Sequence, residues 1–390
     1  MNWIASLVVF WSLAFSVGAT PLARLYSAQG TVDDRLRADA PWRPAKVGAE
    51  YEAANAVRTG DNSRGAVLFT DNILVRLHEN TLLEFTGTAP VRMDSGKAYF
   101  FTRQPKTFPR VDTPVVSAAV RGTEFVVEVL DADQTVITVL DGEVDCRNDF
   151  GAVVARPGEQ VVTRRGQAPV KRIIVRPWDA VHWALYYPAV LDLADYADAL
   201  TGADAAHQAG WEALQRRDWD AATRRFAGND WRDALGRSIA AYHRGELPVA
   251  FRELDGVAQA GEPFHLYQAA LFLSVGQVEK AEESLQRCAA LHQEAAADEV
   301  VRAAAASPRA RAAYHALRAI IALTQNQKTD ALADATRAVQ ADATSASAAL
   351  AMSYAKQAHF QLPDAMRWAG KAVELQPASG LTRARLTGAS

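Results

Sequence analysis

The hydrophobic period of this chain changes once, near Pro177, and that change restricts the fold to a β unit followed by a helical one. Upstream, apolar residues alternate with polar ones in short runs: Val67-Leu68-Phe69, Ile73-Leu74-Val75-Arg76-Leu77, Thr81-Leu82-Leu83-Glu84-Phe85, Phe125-Val126-Val127-Glu128-Val129 and Thr135 to Leu140. Their β-branched and aromatic side chains suit a pleated surface. Turn formers separate them, as in Thr59-Gly60-Asp61-Asn62, Asp94-Ser95-Gly96 and Asp141-Gly142. Many short strands with no helical stretch between them predict an all-β roll, sandwich or solenoid and argue against a βαβ architecture. Downstream, Ala, Leu, Arg, Glu and Gln take over, and apolar residues recur at three- and four-residue steps, as in Phe251, Leu254 and Val257.

The helical half repeats itself. Gly276 with Ala281, Leu285 and Cys288 has the spacing of Gly245 with Ala250, Leu254 and Val257, and Asn326 with Ala331, Ala335 and Ala338 repeats it. Ala331 and Ala338 return as Ala365 and Ala372 at a period of about 34 residues, that of tetratricopeptide repeats, and Gly210, Ala213, Ala222 and Phe226 form an earlier copy. Small residues let the two helices of a hairpin cross closely, while larger ones fill the space between hairpins. One hairpin cannot bury its own apolar face, so about five should stack into an all-α solenoid. An extra helix is expected near Ala295 to Ser307. Thr382-Arg383-Ala384-Arg385-Leu386 reads as the opening of another helix, with no capping helix evident, so a shortened array is expected.

In the β half, an ordered series of strings carries a resemblance. It runs through Val57-Arg58-Thr59-Gly60-Asp61-Asn62-Ser63, Leu68-Phe69-Thr70-Asp71 and Leu77-His78-Glu79-Asn80-Thr81. Val111-Asp112-Thr113-Pro114, Val120-Arg121-Gly122-Thr123-Glu124-Phe125, Val139-Leu140-Asp141-Gly142-Glu143-Val144 and Pro157-Gly158-Glu159-Gln160 continue it. These resemble the FecR domain of periplasmic regulators. The whole arrangement also looks like a group in which a signal peptide and FecR domain lead into tetratricopeptide repeats. The resemblance implies envelope-facing binding or signalling. Sigma-factor control would need a cytosolic arm before a membrane helix, and none is expected here.

The chain thus divides into a signal peptide (1–19), a FecR-like β domain (25–175), an aromatic-rich connector (176–200) and tetratricopeptide-like repeats (201–390). The apolar run Ile4 to Val17 ends at Val17-Gly18-Ala19, which suits cleavage after Ala19. No Lys or Arg precedes the run, so an uncleaved inner-membrane anchor facing the periplasm is the alternative; no cysteine follows it, which removes a lipoprotein. A net charge of −3 argues against binding nucleic acid through phosphate neutralisation. Cys146 and Cys288 lie far apart without metal spacing and read as small core hydrophobes.

Chemistry-bearing patterns are missing. The eight histidines form no HxH, HExxH or HxxxH pair, and no nucleophile elbow or phosphate-cradling loop occurs. The expectation is therefore a non-enzyme without cofactor or metal. Within the β core, Arg121 needs a partner, with Glu124 and Asp112 as candidates for a structural pair and a ligand as the other possibility. Trp211, Tyr242, Tyr267, Tyr314 and Tyr354 fall on the first helices of repeats, where aromatics either pack between hairpins or contact a partner. Together these residues point to a periplasmic adaptor, its β domain docking on or sensing an envelope component and its repeats holding a protein partner. A module binding peptidoglycan or exported polysaccharide through the β domain is one alternative. A membrane-anchored FecR-type signalling regulator is the other.

Overall fold

The computed structural model describes residues 21–87, 91–107, 110–174, 180–181, 184, 192–201, 204–257, 259–296 and 307–389. The apolar segment 1–19, most of the aromatic junction around Trp183 to Pro188 and the expected extra helix near 297–306 lie outside these residues. Among the described residues no helix is long and apolar enough to cross a membrane.

Strands fill the chain from Ala23 to Ile173, and helices follow from Leu193 onward, the order the change of period requires. Three long strands, Val91–Thr107, Ser117–Asp131 and Gln134–Asn148, form the antiparallel spine of one sheet. Two branches meet on Val91–Thr107: Leu74–Leu77 pairs along its second half and Leu82–Phe85 along its first. The first branch continues through Arg64–Phe69 to Ala23–Gln29, and the second through Ala56–Thr59 to Val32–Arg35. The sheet rolls around a single core that includes Leu25, Val57, Val75, Leu83, Phe100, Phe125, Ile137 and Val161. Phe100 and Phe125 stack inside it with centroids 4.6 Å apart.

Between the Arg121–Glu143 and Glu124–Asp141 pairs, two residues on one strand face Gly142 alone, which is a β-bulge. Gly142 has φ +90°, and a Cβ there would lie 2.3 Å from Gly122 Cα, so two glycines meet backbone to backbone at this crossing. Asn80 binds across to Asp61, its side-chain nitrogen 2.9 Å from the Asp61 carboxylate, and the Thr113 hydroxyl brackets Pro114 by bonding Val116.

The helical half contains five described hairpins: α2 (Ala205–Gln215) with α3 (Trp219–Arg225), α4 (Trp231–His243) with α5 (Leu247–Leu254), α6 (Glu262–Ser274) with α7 (Val278–Ala296), α8 (Pro308–Thr324) with α9 (Lys328–Ala341), and α10 (Ala346–Ala358) with α11 (Leu362–Leu375). A short α1 (Ala197–Thr201) precedes them and α12 (Gly380–Ala389) follows. Each first helix ends in the same way. A single left-handed residue (Arg217, Gly245, Gly276, Asn326 or Phe360) turns the chain. The next amide then reaches back five residues, as in Asp218 to Ala213, Glu246 to Ala241 and Gln327 to Ala322.

The small residues behave as their spacing predicts. Ala250, Ala281, Ala331, Ala335, Ala338, Ala365 and Ala372 are fully buried, and so is Cys288. Gly210 and Gly236 pack on the Phe226 ring so closely that a Cβ on either would sit within 2.6 Å of it. Helix α12, whose opening at Thr382 to Leu386 was legible in the sequence, packs on α10 and α11 and carries the guanidinium that covers Tyr354, so it covers the last hairpin. Both cysteines are buried and free, and burial pushes the Cys146 thiol up to about 12, which keeps it protonated.

Among the described residues, contacts at two places join the halves. The Gln277 side-chain amide, in the turn between α6 and α7, donates to Asn62 Oδ1 at 2.8 Å and to Glu79, so two turns of the FecR-like strings clasp the third hairpin. The connector supplies the other: Val181 and Ala184 pack on Tyr99, Val126 and Leu140, on the sheet face opposite the core, and Arg76 donates to the Ala184 carbonyl.

Candidate functional site

Stacked hairpins leave one concave face, built by their first helices, and in this chain that face is filled by the connector itself. Asp192-Leu193-Ala194-Asp195-Tyr196 forms a 3₁₀ turn, with the Asp192 carboxylate accepting the Ala194 amide at 3.0 Å. The turn packs against α6 and α8, and α1 behind it packs against α2 and α4. Tyr196 is 2% exposed and meets Tyr267 of α6 edge to face, centroids 5.6 Å apart. The Tyr267 hydroxyl shares a 3.1 Å hydrogen bond with Ser238 of α4. Asp195 accepts the Ser347 hydroxyl of α10, Asp192 accepts the Gln376 amide at 3.0 Å, and Ala199 O accepts from Arg232 of α4 at 3.2 Å. The array also closes on itself, because Arg217 after α2 donates to Ala378 O before α12 at 2.7 Å. One segment therefore touches the first helices of five hairpins.

Its two carboxylates carry an electrostatic cost. Burial, with the neighbouring Asp192 charge behind it, holds the Asp195 carboxyl well above its ordinary value, while Ser347 and Arg309 pull the other way. Arg309 is itself paired with Asp342 at 2.8 Å, and Asp195 Oδ1 has no hydrogen-bond partner among the described residues. A raised carboxyl favours the docked state when protonated. Its contribution is complete below the ordinary value of 3.8 and is lost as pH rises through the raised one. We expect hydrogen exchange of amides 192–201, corrected for intrinsic rates, to show firmer docking at pH 5 than at pH 8. Asp195→Asn should shrink that difference; an unchanged pH dependence in this variant would refute the assignment.

Beside the docked turn lies a cavity of about 780 Å³ shared by both halves of the chain. The β domain contributes Gln29 and Arg64, the connector Asp192 to Ala194, and the array Trp211, Arg217, Trp219, Tyr242 and His243, with Gln376 to Leu381 along the rim. Trp219 and His243 stack at 4.6 Å, and Tyr242 meets His243 edge-on. Burial, helped by the Arg217 charge, lowers the His243 pKa below the usual imidazole value. Arg64 Nε donates to Gln29 at 2.6 Å. Aromatic faces, guanidinium donors and side-chain amides in one concave site suit an extended peptide or a sugar chain.

Of the aromatic residues read from the sequence, Trp211 and Tyr242 come together in this cavity. Tyr267 is buried beneath Tyr196, so its contact is with the chain's own connector. Tyr354 lies under the Arg385 guanidinium at 4.0 Å, and Tyr314 is half-buried with Arg318 at 5.8 Å from its ring. Arg121 is exposed on Ser117–Asp131 opposite Glu143, not within the core, because strand alternation turns it outward. Asp112 accepts from Ser117 at 2.6 Å and from Arg110, while Glu124 bonds Tyr99 and is raised chiefly by burial. The sequence reading missed Asp192, Asp195, Tyr196 and Arg64. An acidic–aromatic string directly ahead of the first repeat was the available signal.

Comparison with known proteins gives partial likenesses. No curated protein matches the chain significantly. A candidate anti-sigma factor from Parabacteroides distasonis is 18% identical, covering 34% of this chain and 68% of its own, with a TM-score of 0.30. A thermophilic TPR protein of Thermus thermophilus is 17% identical, covering 47% of this chain and 95% of its own, with a TM-score of 0.36. The second TPR domain of human RPAP3, solved with an HSP70 peptide, is 20% identical over 33% of this chain and 98% of its own, with a TM-score of 0.24. Residues 55–145 match the family described as FecR protein, and the helical hairpins that follow are similar to tetratricopeptide-repeat structures.

Proposed function

We propose that the chain is a non-enzymatic adaptor of the bacterial envelope, exported to the periplasm, whose β domain docks on or senses an envelope component and whose helical array holds a segment of a protein partner. The observation that carries this reading is the occupied groove: five first helices close on an acidic–aromatic stretch of polypeptide, and the cavity beside it extends the same surface to the β domain. A groove that holds one such segment has the donors, the aromatic platform and the length to hold another. Partner and β-domain ligand are then read at one junction, which suits a signalling or adaptor role.

The test is crosslinking in cells of the protein's own host, with a photoreactive residue in place of Gln215 on the cavity wall. Recovery of one or two envelope proteins, abolished by Trp211→Ala with Arg217→Glu, is the expected result. The same aromatic walls also favour a second reading, a glycan ligand; recovery of glycan fragments alone would replace the protein partner with a peptidoglycan or polysaccharide chain. Sequencing the mature protein separates the membrane-anchored version, since an N-terminus at Thr20 excludes an uncleaved anchor.

A further inference from the structure

Helices α2 and α4 begin side by side, and the residues at their N-termini converge on one buried imidazole. His207, in the first turn of α2, is 7% exposed. Its Nε2 lies 3.6 Å from Asp233 Oδ2 and 3.7 Å from Asp230 Oδ1, and neither ring nitrogen has a hydrogen-bond partner among the described residues. Its Nδ1 is 2.9 Å from Asp204 Oδ1, but outside the direction that an N–H···O bond requires. Asp233 is 6% exposed, and its Oδ2 sits over Gly228, where a Cβ would come within 2.4 Å of it. Arg237 fixes that loop by donating to the carbonyls of Phe226 and Gly228. Asp230 caps α4 through the amides of Arg232 and Asp233, and its other oxygen is 3.6 Å from Arg232.

A buried imidazole whose ring nitrogens have no hydrogen-bond partner among the described residues, set beside two carboxylates, is a ligand set. A tetrahedral ion at about 2.0–2.1 Å from each ligand sets neighbouring ligands about 3.3–3.4 Å apart, and the two separations from His207 to the aspartates lie within a few tenths of an ångström of that. Asp204, 2.9 Å from the second nitrogen, would orient a metal-bound imidazole after a small turn of the ring brings that nitrogen into line. One nitrogen and two carboxylate oxygens suit a borderline divalent ion of the zinc class, with the solvent side at half-exposed Asp230 left for water.

We propose that His207, Asp230 and Asp233 bind one divalent transition-metal ion that staples the first hairpin to the second. The three ligand atoms lie within 4.8 Å of one another. Ligands drawn from two helices leave no HxH or HxxxH pattern, which is why histidine spacing alone does not announce the site. The staple would sit directly after α1, whose Ala199 carbonyl is held by Arg232 between the two aspartates of α4.

The test uses the tag-free full chain stripped with chelator and titrated with zinc against a chromophoric competitor. Binding of about one ion per chain is expected, with affinity reduced at least tenfold in His207→Gln and in Asp233→Asn and by roughly tenfold in Asp204→Asn. Zinc should raise the melting temperature of the wild-type chain and leave that of His207→Gln unmoved, circular dichroism showing that the variant still folds. Zinc binding unchanged in a folded His207→Gln chain would overturn the proposal. So would an imidazole spectrum with both His207 nitrogens protonated at neutral pH in the presence of zinc.

Discussion

A chain carrying Gly142→Val is expected to lose about 4 kcal/mol or more of β-domain stability, enough to drop its melting temperature by roughly 10 °C or to abolish the fold. Two costs combine. A β-branched residue at φ +90° is strained by about 1–3 kcal/mol, and the new Cβ would lie 2.3 Å from Gly122 Cα and 2.6 Å from Arg121 O, contacts that no rotamer relieves. Gly166→Ala separates the two, since its φ of +72° is also left-handed but a Cβ there meets nothing within 4 Å. That variant should lose only about 1–2 kcal/mol. Thermal melts of both, followed by circular dichroism, decide the matter. A wild-type-like melt for Gly142→Val would mean that the bulge is not the pinch point of the spine.

Tyr196→Ala should release the connector from the groove. Truncating a fully buried aromatic side chain costs about 3–5 kcal/mol, and Tyr196 is the part of the turn that reaches the array core beside Tyr267. The helices are capped and paired without it, so their circular dichroism should change little. Hydrogen exchange of amides 192–201 should accelerate by roughly 100-fold, the factor that about 3 kcal/mol of lost local stability implies. Exchange at the wild-type rate would sink the view that Tyr196 anchors the segment. A concerted loss of the whole helical signal would instead make the turn a part of the array core.

The elements that could be read from the sequence are those fixed by local spacing. Ala281, Leu285 and Cys288 repeat Ala250 and Leu254 because each hairpin solves the same packing problem with its own near neighbours, and all five are buried. The β-bulge was not legible: Asp141-Gly142 reads as a turn in the sequence, but Gly122 and Gly142 lie inside two long strands, and their backbone contact requires knowing that these strands pair. Asp195 was not legible at all. Aspartate is ordinarily a surface residue, and this one is buried through a serine at position 347, far along the chain. The aromatics were half legible. First-helix placement identified Trp211 and Tyr242 for the cavity, but it could not foresee that Tyr267 would be covered by Tyr196 or Tyr354 by Arg385.

A ligand tied to its own receptor acts as though dissolved at about millimolar concentration. The turn Asp192 to Tyr196 is such a ligand, so a free segment of equal intrinsic strength, present at about 1 μM, competes at a disadvantage of roughly a thousandfold, about 4 kcal/mol. Casual encounters with acidic peptides would therefore leave the array closed. What opens it must either bind far more strongly or act first on the sheet face that Val181 and Ala184 cover, at the other end of the same short strap. Filtering of this sort makes the connector a threshold: its grip sets how strong or how well placed a signal has to be before the array answers.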